Sequence, residues 1–199
     1  MRQIQDAFPL LQAPRRIFIT SHHKPDGDAI GSMLGLYHYL KKKGHQVVAV
    51  SPSAMPDFLA WMPGVSELLN YEAESRACEE ALKDAEILFC LDFNDPSRTK
   101  HLTQQITTAP QPRIMIDHHL FPAPVWDYGM SIPEKSSTCE MVYDFIGLLG
   151  DNDLIDQEIA TCLYTGVMTD TGSFRFPSTG SATHYMIADL KSKGLNHSV

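Results

Sequence analysis

Residues 22–28 read His22-His23-Lys24-Pro25-Asp26-Gly27-Asp28, so two imidazoles and two carboxylates stand in seven positions directly after the apolar run Ile17-Phe18-Ile19. The same juxtaposition recurs along the chain. Ile87 to Leu91 runs into Asp92, and Ile114-Met115-Ile116 runs into Asp117, His118 and His119. Parallel strands place their carboxyl ends on one edge of a sheet, so acids and imidazoles at three strand ends should converge in the crevice where such sheets bind ligands. Carboxylates gathered there raise one another's pKa unless cations compensate them. If Asp26, Asp28, Asp92 and Asp170 all bind metal, their four charges match two divalent ions. An oxygen-rich set with a few imidazoles suits Mn²⁺, with Mg²⁺ or Co²⁺ as substitutes, and the absence of cysteine from the set argues against a structural zinc site. A pair of such ions is suited to in-line attack on phosphorus.

The elements needed to position these groups are visible as hydrophobic patterns. Arg16–Thr20, Gln46–Val50, Ile87–Leu91 and Ile114–Ile116 read as strands, the third as an unbroken apolar run of the kind buried on both faces. Helical spacing covers 29–43, 74–85, 138–149, 157–168 and 182–193, with helix-compatible sequence over 96–107 and a short amphipathic helix at 4–11. Trp126 and Tyr128 mark an edge strand. The alternation predicts an α/β fold with an open, doubly wound, mainly parallel sheet flanked by helices. Pro25 and Gly27 shape the first loop, so that Asp26 and Asp28 can face different ions. Gly31-Ser32 is expected to open the next helix as a phosphate cradle. Neither GxGxxG nor GxxxxGK[ST] occurs at that turn, which removes the standard dinucleotide and triphosphate loops.

Composition narrows the partners. The chain has 199 residues, 24 acidic against 16 basic, for a formal charge of −8. That field repels a long phosphate backbone and disfavours duplex nucleic acid, while short anionic substrates remain compatible with bound cations. Cys78, Cys90, Cys139 and Cys162 lack metal-type spacing and read as buried small hydrophobes. The N-terminal MRQIQDAFPLLQAPRR has no apolar core of signal-peptide length, and no run approaches a membrane span, so a soluble cytoplasmic protein without membrane contact is expected. Trp61 and Met62 are expected in the core, and Lys41-Lys42-Lys43 at a solvated helix end.

Taken together, HHKPDGDAIGS, LDFNDPSR, IDHH and GVMTDTGSFRF, in that order, resemble the four motifs of the DHH phosphoesterase family. The resemblance implies one ion held by His22, Asp26 and Asp92 and a second by Asp28, Asp92, His118 and Asp170, with Asp92 bridging. It assigns His119, Asp92 and His118 to catalysis, His119 to the substrate phosphate, and Asp117 to orienting an imidazole, while Ser32 is a substrate candidate through the helix opening it shares with Gly31. Arg98 and Arg175 are candidates for phosphate contact or for structural salt bridges. His23 is expected to be a neighbour of the centre, not a ligand.

The wording is most similar to the branch that degrades very short oligoribonucleotides and dephosphorylates 3′-phosphoadenosine 5′-phosphate. Cyclic or linear dinucleotide phosphodiesterases share much of it, and a catalytically silent nucleotide-binding domain is a further alternative. The expected partners are therefore a small nucleotide phosphate or short single-stranded RNA, with a homodimer as one compatible assembly. Family members of this type carry a C-terminal DHHA1 substrate-binding domain. This chain is expected to be one catalytic domain, residues 1–199, without it, either cut short of that domain or working without such a cap.

Overall fold

In the computed structural model, which describes residues 1–198, seven parallel strands form one sheet in the order β1-β7-β6-β5-β2-β3-β4. The strands are β1 (Arg2–Gln3), β2 (Arg16–Thr20), β3 (Gln46–Ser51), β4 (Leu69–Asn70), β5 (Ile87–Leu91), β6 (Arg113–Asp117) and β7 (Tyr128–Ser131). The α-helices are α1 (Gly27–Lys42), α2 (Tyr71–Asp84), α3 (Thr103–Thr108), α4 (Thr138–Leu148), α5 (Gln157–Asp170) and α6 (Ser181–Ser192).

Side chains alternate across a strand, and this splits the core into two layers. Ile17, Ile19, Phe89, Ile114 and Ile116 pack under α1, α4, α5 and α6. Phe18, Leu88, Cys90 and Met115 pack under α2 and α3. Helices on both faces bury the central strands completely, which is why β5 needs five consecutive apolar residues.

The order reverses between β2 and β5: β3 and β4 extend to one side of β2, and β6 and β7 extend beyond β5. Chains leaving the carboxyl ends of β2 and β5 diverge, and the crevice opens between them. His22 follows β2 and Asp92 follows β5.

Several expectations need correction. Tyr128 belongs to an interior strand, because the short β1 pairs outside β7. The 4–11 segment and most of 96–107 are 3₁₀ turns, the latter kinked at Lys100. Trp61 is 47% exposed, since the turns around it point Leu59 and Met62 inward instead. Lys41, Lys42 and Lys43 do stand exposed at the end of α1, as expected, and there they pair with Glu67, Asp156 and Asp151. The four cysteines are buried and free. Among the described residues, no helix is long and apolar enough to cross a membrane.

Candidate metal centre

Asp26 caps α1: its Oδ1 accepts from the backbone N–H groups of Asp28 and Ala29, both at 3.0 Å. This starts the helix at Gly27, one turn earlier than Gly31-Ser32. Ser32 consequently lies inside α1, fully buried, with its hydroxyl donating to the Ala29 carbonyl. It cannot reach a substrate, and the first-turn N–H groups expected to cradle phosphate are already used by Asp26. The second carboxylate oxygen of Asp26 remains available, 4.0 Å from His22 Nε2.

Asp92 is 2% exposed and sits at φ 62°, a left-handed conformation that a non-glycine residue holds only when its surroundings enforce it. Its backbone N–H donates to Ile116, which ties the end of β5 to β6. Its two carboxylate oxygens face opposite ways. Oδ2 lies 3.3 Å from His22 Nε2, while Oδ1 lies 3.7 Å from His118 Nε2. His118 Nε2 is also 3.9 Å from Asp28 and 3.6 Å from Asp170, at the end of α5.

Donors sharing one ion at bond lengths of about 2.1 Å stand roughly 3.3 Å apart when tetrahedral and somewhat less when octahedral. The observed separations of 3.3–4.0 Å are close to that spacing and longer than a hydrogen bond. Three donor groups result: His22–Asp26–Asp92, Asp28–His118–Asp170 and Asp92–His118–His119. Asp92 belongs to two of them. The donor chemistry therefore fits two divalent ions with Asp92 between them.

Electrostatics make the same demand. Burial, then the charges of Asp92 and Asp170, push the Asp28 carboxyl well above its ordinary value. Burial, then Asp26 and Asp117, do the same to Asp92. Asp170 is raised mainly by burial, against the pull of His118. Acids held this way are compensated by bound cations or remain protonated.

Composition had not pointed to the residues that steady Asp28. The N–H groups of Thr138 and Cys139, at the start of α4, donate to its two carboxylate oxygens at 2.6 and 2.8 Å. The Thr138 hydroxyl donates to Asp92 at 3.0 Å. A helix N-terminus thus faces the acidic pair and favours its ionised form. That end of α4 is fixed by Ser137, which accepts the N–H of Glu140, and by Glu140, which accepts from the Ser136 N–H and hydroxyl and from Lys135. The pattern Ser137-x-x-Glu140 was a helix-start signal readable in the chain.

Asp117 is completely buried at the end of β6. Its carboxylate is 2.7 Å from His119 Nδ1 and accepts the His119 N–H at 2.9 Å. That bond raises the imidazole pKa, against burial, and leaves Nε2 pointing away from Asp117. Arg98 is close enough for its charge to oppose His119 protonation and has no carboxylate within 4.0 Å among the described residues. Arg175 is exposed and folds onto its own loop, Nε donating to the Gly172 carbonyl at 2.7 Å. His23 lies beside Glu72, away from these three groups.

The model of the DHH family, N-terminal domain, matches residues 16–167. The chain is 35% identical over 195 residues to the bifunctional oligoribonuclease and PAP phosphatase NrnA of Thermus thermophilus, covering 98% of this chain and 55% of that protein. It is 28% identical over 197 residues to the cyclic-di-AMP phosphodiesterase PdeA of Listeria monocytogenes, covering 93% and 29%. The crystal structure of an exopolyphosphatase-related protein from Bacteroides fragilis superposes with a TM-score of 0.94 at 40% identity, over 97% of this chain and 57% of that one. The chain therefore spans about half the length, or less, of these relatives.

Proposed function

The chain belongs to the DHH family, and from that premise we propose that it is the catalytic part of a two-metal phosphohydrolase acting on short oligoribonucleotides, 3′-phosphoadenosine 5′-phosphate, or both. The observation that carries the reading is the Asp92 carboxylate, one oxygen toward His22 and the other toward His118. One ion would be held by His22, Asp26 and Asp92, and the other by Asp28, Asp92, His118 and Asp170. Mn²⁺ suits this mixed oxygen and imidazole set, with Mg²⁺ or Co²⁺ as substitutes. Divalent ions supply positive charge to phosphate oxygens and make water a better nucleophile.

The remaining chemistry belongs to side chains around the crevice. His119 is 41% exposed, so its Nε2 can meet a phosphate while Asp117 fixes the ring and favours the imidazolium. An imidazolium there stabilises developing charge or donates its proton to the leaving oxygen. Arg98, free of any carboxylate partner among the described residues, adds a second cation for the phosphate. Arg175 is given a lesser role, because its guanidinium folds back on its loop. Ser32 has none. The overall charge of −8 favours substrates too short to carry a long run of phosphates. The relatives are longer than this chain.

The reading is tested with the purified protein and Mn²⁺ on a panel of adenosine 3′,5′-bisphosphate, di- and triribonucleotides, and linear and cyclic dinucleotides. Release of phosphate from the bisphosphate and mononucleotides from the RNAs is expected, and both are lost in Asp92→Asn. Turnover of cyclic dinucleotides alone would replace this assignment with the phosphodiesterase reading, which the likeness to the Listeria protein favours. No turnover of any phosphoester by a protein loaded with two ions would overturn both and leave a silent nucleotide-binding domain.

A further inference from the structure

A second group of metal donors stands outside the centre just described. His23 follows β2, Glu72 lies in the first turn of α2, and His101 lies in the turn after β5. Their donor atoms all lie within 4.8 Å of one another. Glu72 Oε1 is 3.4 Å from His23 Nε2 and 3.5 Å from His101 Nε2. These separations exceed an ordinary N–H···O hydrogen bond of about 2.9 Å. They match the roughly 3.3 Å expected between donors sharing one tetrahedral ion at bond lengths of about 2.0–2.1 Å.

The backbones of His23 and Glu72 and the ring of His101 are also held in place. The His23 N–H donates to Arg98 O at 2.8 Å, and its ring is 10% exposed. The Glu72 N–H donates to Asn70 Oδ1, and the His101 ring stacks on Tyr71 at 14° between planes. Glu72 and His101 are about half exposed, so one side of the group is open to solvent.

We propose that His23, Glu72 and His101 form a third, separate metal site that takes a borderline divalent ion, Zn²⁺ in preference to Mn²⁺. Two imidazoles and one carboxylate suit zinc with an open fourth position, whereas the four aspartates of the main centre suit harder ions. An ion there links the loop carrying His22 and Asp26 to α2 and to the turn carrying Arg98. It thereby braces two arms of the crevice. The site does not depend on the hydrolase reading.

The test counts ions. Wild-type protein, Glu72→Gln and His101→Ala are stripped with chelator, titrated with Zn²⁺ alone, and counted by native mass spectrometry. Both substituted residues are surface-exposed, and circular dichroism verifies that the variants remain folded. Each variant is expected to bind one Zn²⁺ fewer per chain than wild type. Equal counts in wild type and both variants would overturn the proposal. Asp28→Asn, titrated in parallel, reports on the main centre: its failure to lose an ion would count against the two-metal reading and leave this site standing.

Discussion

Replacing Asp92 with asparagine is expected to move stability in opposite directions with and without metal. Asp92 and Asp28 are 2% and 1% exposed, and burial together with the neighbouring acids holds both carboxyl groups well above the ordinary 3.8. A carboxyl whose folded pKa is raised contributes stability below its unfolded value and loses it as pH rises through the folded one. At pH 7 without metal, keeping this pair folded therefore costs stability, whether the carboxyls take up protons or stay charged. Asparagine keeps the shape, can still accept the Thr138 hydroxyl, and tolerates the left-handed backbone at this position. The relief should be about 1–3 kcal/mol, the scale of an uncompensated buried polar group. For a chain of this size that raises Tm by about 2–4 °C per kcal/mol.

Excess Mn²⁺ reverses the order. Two sites filled at a hundredfold excess over Kd each stabilise wild type by about 2.7 kcal/mol, roughly 5 kcal/mol together. The variant lacks the charged oxygens shared by both sites and should forfeit most of this. Thermal scans at pH 7, in chelator and in Mn²⁺, should cross: variant above wild type in the first, below it in the second. A variant that melts lower in chelator, or gains as much from Mn²⁺ as wild type does, would refute the reasoning.

Three further substitutions probe the supports of the centre. Asp117→Asn removes the charge that orients His119 and should lower kcat about 10–100-fold while leaving Mn²⁺ stoichiometry intact, as steady-state rates and metal counts will show. Gly166→Ala drives a methyl group into Cys139 Sγ and to 3.0 Å from Asp28 Oδ1; denaturant titration should record a loss of about 1–3 kcal/mol, with weaker Mn²⁺ binding. Glu140 is held below its ordinary pKa because its bonds to Ser136 and Lys135 outweigh burial. Its contribution is present above its unfolded value near 4.5 and fades as pH falls through the depressed folded one. Glu140→Gln should therefore cost about 1–3 kcal/mol at pH 7 and progressively less as pH falls below the unfolded value, measured by urea unfolding across a pH series.

Parallel-strand logic made much of this arrangement readable in the chain. Apolar runs that end in Asp or His must deliver those groups to one sheet edge, and β2, β5 and β6 do so. What escaped was set by contacts between distant segments. Asp26 served as cap as well as candidate ligand, and this moved the start of α1 forward and buried Ser32. The Thr138 and Cys139 amides reach Asp28 across 110 residues, and no local pattern announces that pairing. Trp61 sits in a proline-punctuated stretch with no period to say which side faces inward. His23, Glu72 and His101 come together only because the sheet places β2, α2 and the turn after β5 side by side.

The claim on which the account rests is that Asp92 stands between two ions. Anomalous diffraction at the manganese edge from crystals grown in Mn²⁺ tests it directly. Two peaks about 3.5–4 Å apart, each within bonding distance of one Asp92 oxygen, are expected. A single peak at this centre, or ions bound without Asp92, would contradict it.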